Sequence, residues 1–206
     1  MTRIRPYPLA FFTGCLGVLI FCCCVAIASQ DMRASKESYF PLSVGNLWVY
    51  SFHGHSQAGV KTIKWRVTQK EVIHGTAVFH LWQTPAQDDE PFSLSEGETG
   101  IVEAGSERFL LKYPLRTGDH WSSVSRSLRA PGKSDTFEVI SAGKACSVGG
   151  RSFDDCVTVR ETDEANDVAS MTTYARGVGP VKCVYFKSLH SEQVSTTLTI
   201  DSWQVH

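Results

Sequence analysis

The residues of this chain that could do chemistry are its seven histidines, its seven cysteines and a few clustered acids, and their spacing decides what each can do. His53-Gly54-His55 sets two imidazoles on one side of an extended segment, as a zinc site would. Zinc needs a third and a fourth ligand, and no neighbouring residue supplies them. Asp119-His120 joins a carboxylate to an imidazole, the parts of an acid–base pair. The pair sits in a turn, and the matching turn earlier in the chain holds Asn46-Leu47, so turn chemistry accounts for it. Glu161 to Asp167 (ETDEAND) crowds hard oxygen ligands together but lacks the glycine and closing glutamate of an EF-hand loop, and reads as a wet hairpin turn. Gly177-Val178-Gly179 has too few glycines for a dinucleotide loop and precedes a strand rather than a helix. No Gly-x-Ser-x-Gly elbow is present. The chain therefore calls for no metal, no cofactor and no catalytic residue.

Four of the cysteines fall in an apolar leader, which leaves Cys146, Cys156 and Cys183. Cys146 and Cys156 flank the turn Val148-Gly149-Gly150-Arg151, so a hairpin would set them nearly opposite each other; pairing of Cys156 with Cys183 stays open. No His or Asn stands beside any of the three, as a catalytic thiol would require.

Aromatic side chains carry a different chemistry, the holding of apolar groups. Val60 to Lys70 alternates, with Ile63, Trp65 and Val67 on one face and Lys64, Arg66 and Thr68 on the other. That is a half-buried antiparallel strand. Thr76 to Thr84 is apolar on both faces: Phe79 and Leu81 share one, Val78, His80 and Trp82 the other. The second face is either core beneath a covering loop such as Ser122 to Ser134 or the wall of a cavity. The candidate ligand-binding residues are accordingly Trp48, Trp65, Val78, His80 and Trp82.

What must position these residues is a corner that occurs twice. Tyr39-Phe40-Pro41-Leu42-Ser43-Val44-Gly45-Asn46-Leu47-Trp48 returns 73 residues on, Pro41 matching Pro114, as Lys112-Tyr113-Pro114-Leu115-Arg116-Thr117-Gly118-Asp119-His120-Trp121. Proline fixes φ and removes a donor, which suits arrival at a sheet edge. Gly45-Asn46 and Gly118-Asp119 supply the turn, and the tryptophan starts a strand. Further strands are predicted at Phe92 to Gly105, Glu107 to Tyr113, Thr136 to Cys146, Arg151 to Thr162, Val168 to Arg176, Val181 to Leu189 and Ser195 to Val205. Hairpin turns fall at His74-Gly75 and Gly149-Gly150, and loops at Pro85 to Pro91 and Ser122 to Ser134. The expected fold is all-β: a mostly antiparallel curved sheet or half-barrel of two related meanders, residues 39–111 and 112–206, following an N-terminal signal or anchor helix.

That N-terminal segment, residues 1–28, has Arg3 and Arg5 ahead of an uncharged run and ends in Ala26-Ile27-Ala28, the pattern of an export signal. The run is also long enough to anchor in a bilayer if retained. Cys22-Cys23-Cys24 invites lipidation, but Phe and Cys precede these cysteines where a lipobox has small residues, and Cys15 comes early. Residues 29–38 form a polar linker to a single domain, 39–206. Of the whole chain 42% is hydrophobic and 20% charged, an ordinary globular balance. Loss of Arg3 and Arg5 moves the formal charge from −1 to −3, with no basic stripe, which excludes a nucleic-acid footprint.

Tyr39-Phe40-Pro41-Leu42-x-x-Gly45-Asn46-x-Trp48-x-Tyr50, the second corner, and Tyr174-Ala175-Arg176-Gly177-Val178-Gly179-Pro180-Val181-Lys182 together resemble a family of uncharacterised exported bacterial β proteins. Val148 to Phe153 ahead of Cys156 stands where that family has Val-x-Ala-Gly-x-Phe before a cysteine, and Arg176 replaces its usual proline. The resemblance covers most of residues 39–204 and implies an extracytoplasmic β domain; it is distantly similar to the curved sheets of periplasmic lipoprotein carriers. The expectation is a periplasmic or secreted, non-enzymatic module that binds an apolar small molecule or lipid, or an envelope protein. It would touch the membrane only through an uncleaved or lipidated N-terminus. A structural role in envelope assembly and a hydrolase with dispersed residues are the alternatives.

Overall fold

The computed structural model describes residues 38–54, 62–85, 91–124 and 134–206. The leader, the linker up to residue 37, His55, and residues 86–90 and 125–133 of the two loops lie outside the described residues. Every regular element described is a strand, and no helix occurs among them. In chain order these are β1 Leu47–Gly54, β2 Thr62–Ile73, β3 Thr76–Thr84, β4 Phe92–Gly97, β5 Gly100–Glu103, β6 Phe109–Lys112, β7 His120–Val124, β8 Ser134–Val148, β9 Arg151–Asp163, β10 Val168–Ala175, β11 Gly179–Phe186 and β12 Val194–Gln204. The stretch expected as one strand from Phe92 to Gly105 is two, folded back at Glu98-Thr99. Gly100 permits this: its φ is +141°, and a β-carbon there would fall 1.9 Å from the Leu111 carbonyl oxygen.

All twelve strands form one antiparallel sheet in the order β6-β5-β4-β3-β2-β1-β12-β11-β10-β9-β8-β7. Each half of the chain is a six-strand meander, and β1 pairs with β12 in the middle. The sheet curls until its edges, β6 and β7, face each other in a nearly closed barrel. Side chains rather than a backbone ladder join this seam. The Phe109 amide donates to Ser123 Oγ (3.0 Å), the Trp121 indole to the Phe109 carbonyl (3.1 Å), and Arg108 Nη1 to the Val124 carbonyl (3.2 Å).

Inward positions follow the strand period of two. Trp48, Tyr50 and Phe52 of β1, Ile63 and Val67 of β2, and Phe137 and Val139 of β8 are buried, with more exposed residues between them. Burying an aliphatic or Phe side chain of this size stabilises by roughly 1.5–3 kcal/mol. The hairpins β2–β3 and β8–β9 turn at His74-Gly75 (φ 49° and 82°) and Gly149-Gly150 (58° and 78°). Two positive φ values in a row belong to the type I′ turn, whose twist matches that of paired strands. In the second hairpin Cys146 and Cys156 are bridged, with Cα atoms 6.0 Å apart, and Cys183 is a buried free thiol.

The two corners have the same hydrogen bonding. Gly45 N donates to Val67 O, Val67 N to Asn46 O and Asn46 N to Ser43 O; Gly118 N donates to Val139 O, Val139 N to Asp119 O and Asp119 N to Arg116 O. Gly45 and Gly118 take φ of 96° and 90°. Each tryptophan then reaches into the other half of the chain: Trp48 Nε1 donates to Val178 O (2.6 Å) and Trp121 Nε1 to Phe109 O. The first corner docks on the β10–β11 turn, where Gly177 N donates to Ser38 O (2.8 Å).

Candidate functional site

The curled sheet holds a cavity of about 510 Å³ that is partly open to solvent and walled by strands from both halves. Ile63 and Trp65 of β2 and Leu81 and Gln83 of β3 form one side; Thr172 and Tyr174 of β10 and Cys183 of β11 contribute to another. Phe40 of the first corner also lines it, packed edge-on against Trp48 with ring centres 5.4 Å apart. The corner that starts β1 therefore supplies part of the cavity wall. Trp65 is held by a hydrogen bond from its indole to Gln83 Oε1 (2.9 Å) and by edge contact with Tyr50.

One charged pole interrupts the apolar wall. Arg108, 2% exposed, precedes β6 and borders the cavity with Glu161 of β9. Its guanidinium donates to Asp135 Oδ2 and Glu161 Oε1, lies 3.6 Å from Glu103 Oε2, and stacks over the Phe137 ring, which in turn stacks on Trp121. Burial works against the charge on Arg108, but Glu161 and Asp135 outweigh it and hold the group above its ordinary pKa. Burial raises the Tyr174 phenol and the Cys183 thiol, and the Glu161 carboxylate adds to both shifts. Cys183 is thus a poor nucleophile, because the thiolate is the reactive form.

Of the residues singled out by aromatic patterning, Trp65 and Trp82 border the cavity, the latter 38% exposed. Trp48 is fully buried in the core, Val78 is buried, and neither belongs to the cavity wall; nor does His80. At Gly179 a β-carbon would meet the Trp48 indole nitrogen at 2.7 Å, so only glycine leaves room for the indole. Asn46 Nδ2 donates to the Pro41 carbonyl (2.9 Å), and Asp119 Oδ2 accepts from the Arg116 amide (2.9 Å), so both act within their turns. His53 and His120 are exposed. The Asp163 carboxylate accepts the Ala165 and Asn166 amides and caps the β9–β10 turn.

His80 has a different setting. Its Nδ1 lies 2.8 Å from Ser93 Oγ and its Nε2 2.8 Å from Glu71 Oε1, a serine–histidine–acid relay across β4, β3 and β2. Cross-strand pairing of His80 with Ser93 gave no local sequence signal, since it depends on register. A hydrolytic triad also needs a cleft and oxyanion donors. Ser93 sits in the β3–β4 ladder, and neither the lumen nor the groove beside His120 and His190 includes it. These two contacts link β2, β3 and β4 across their ladder.

No family model and no curated protein matches the chain. Two solved structures are similar in fold. One is a candidate exported protein with a YmcC-like fold from Bacteroides fragilis, 9% identical, with a TM-score of 0.45, covering 80% of this chain and 98% of that one. The other is a candidate lipoprotein from Parabacteroides distasonis, 10% identical, with a TM-score of 0.41, covering 81% of this chain and 98% of that one.

Proposed function

We propose that the protein is an extracytoplasmic binding module whose barrel lumen holds an apolar small molecule or lipid. The observation that carries this is the cavity of about 510 Å³, walled mainly by aliphatic and aromatic side chains with a few polar groups at defined places. Ligand sites have this character and fall between roughly 300 and 1,000 Å³. The basic, apolar and A-x-A segments of residues 1–28 support export, and any membrane attachment would run through them. Assembly by strand addition needs an open sheet edge. Here β6 and β7 engage each other through Phe109, Trp121 and Ser123, which favours the lumen over the edges as the working surface.

Delipidated protein titrated with the uncharged fluorophore N-phenyl-1-naphthylamine should show a saturable, one-site rise in emission. Thr172→Phe, which places a ring in the lumen, should weaken it about tenfold or more, or 1.4 kcal/mol. A linear, non-saturating response in folded protein would overturn the proposal.

A further inference from the structure

Strand register brings hydrogen-bonding side chains to the lumen in one line. Thr196 of β12 pairs with Tyr185 of β11, Tyr185 with Ser170 of β10, and Ser170 with Glu161 of β9, and all four border the cavity. Glu161 is held by Arg108; the other three are neutral hydroxyls. Two residues along the same strands, the next inward positions are Leu198, Cys183 and Thr172, again paired with one another and again on the cavity wall. Leu198 and Cys183 are buried, and Thr172 turns its hydroxyl to the Cys183 sulfur (3.3 Å). Beyond them, toward the first corner, lie the buried rings of Phe40 and Tyr174. Polarity therefore changes along the barrel, from hydroxyls near the strand ends to apolar side chains at the corner.

Two contacts show that the line of hydroxyls faces inward. Opposite Thr196 on β1 is Gly54, where φ is not positive and the backbone makes no demand for glycine. A β-carbon there would fall 2.6 Å from Thr196 Oγ1, so Gly54 makes room for that hydroxyl. The Tyr185 phenol is hydrogen-bonded to the Cys183 thiol, deeper in the lumen. Neighbouring strands lie about 4.8 Å apart, so three hydroxyls on three strands span about 10 Å. One alcohol group reaches one of them. A glycerol or hexose head, with hydroxyls on adjacent carbons, reaches two or three, and every hydroxyl can both donate and accept. We infer that the lumen takes an amphiphile with an uncharged polyol head, its chain beside Leu198, Leu81 and Trp65 and its head hydrogen-bonded along Thr196, Tyr185 and Ser170. This rests on the lumen being the ligand site.

The test is competition for N-phenyl-1-naphthylamine, on delipidated protein, by decanoylglycerol, decyl glucoside and decanol below their micellar or solubility limits. Wild type is compared with the double variant Ser170→Ala/Thr196→Val and with Tyr185→Phe, which remove hydroxyls and leave the apolar wall in place. Loss of two hydrogen bonds should raise the polyol concentration needed to displace the probe about tenfold in the double variant, and loss of one about threefold in Tyr185→Phe. Decanol should change by less than about twofold, because a single hydroxyl finds another partner in the line. A loss for the glyceride alone identifies a glycerol head, for the glucoside alone a sugar, and for both a polyol in general; each supports the inference. Polyol competition unchanged in the double variant, with a melting curve showing it folded, would overturn the inference while leaving the lumen as the ligand site. So would an equal loss for decanol, or failure of both polyols to displace the probe from wild type. If the double variant does not fold, Tyr185→Phe decides by the same comparison. Failure of the probe itself to bind would remove the lumen reading and this inference together.

Discussion

A β-carbon at position 179 would lie 2.7 Å from the Trp48 indole nitrogen, and the backbone there has φ +111°. Position 118 has a comparable φ of +90° but nothing within 4 Å of the corresponding point. The pair separates steric crowding from backbone strain. Gly118→Ala should cost about 1–2 kcal/mol in urea unfolding, the cost of a left-handed alanine. Gly179→Ala should cost about 3–5 kcal/mol, because a fully buried indole must also move. Equal losses would show that Trp48 yields without cost. Gly177-Val178-Gly179 is legible in the sequence as a turn. Its other task is not, since Trp48 lies 130 residues from its acceptor Val178 and only the fold brings them together.

At the scale of elements, the first corner is latched to the second half of the chain. Tyr39 Oη donates to Asp155 Oδ1 (2.6 Å), Arg176 Nε to Asp155 Oδ2 (2.5 Å), and Arg176 lies 4.4 Å from the centre of the Tyr39 ring. Burial, then the bond to Asp155, pushes the Tyr39 phenol up to about 12, so it stays a donor. Burial alone would raise the Asp155 carboxyl, but the bonds from Tyr39 and Arg176 outweigh it and hold it below its ordinary value. A depressed acid stabilises the fold above the unfolded pKa, and that contribution is lost as pH falls through the folded pKa. The stability gap between wild type and Asp155→Asn should therefore hold steady from about pH 7 to about pH 5, then close towards about pH 3. A gap that persists in acid would mean the substitution acts through packing. Strand limits were legible where turn residues punctuate them: Thr76–Thr84 coincides with its prediction because His74-Gly75 closes the hairpin before it. The β4–β5 fold-back was not, because the demand for glycine at position 100 comes from the Leu111 carbonyl on a third strand.

At the scale of the molecule, period-two patterning separated the two faces of β3 but could not say which is concave. His80 turned out to tie Glu71 and Ser93 together, whereas Leu81 and Gln83 face the lumen. The charged pole was equally hidden, since Asp135 on β8 and Glu161 on β9 stand 27 and 53 residues from Arg108, which precedes β6, and the three meet only in the folded sheet. Closure itself has an uneven strength that follows from the chain order. The first and last strands, β1 and β12, pair over eight residues in the middle of the sheet, whereas the middle of the chain supplies β6 and β7, four and five residues long, at the seam. Each seam strand has a full ladder on one side only; on the other it meets side-chain partners such as Ser123 Oγ and Trp121 Nε1. Opening the seam breaks few backbone bonds, and local opening free energy tracks such contacts. Native-state hydrogen exchange should find the amides of β6 and β7 exchanging about tenfold or more faster than those of β1 and β12. Protection at the seam equal to that at the centre would mean that a continuous ladder closes the barrel.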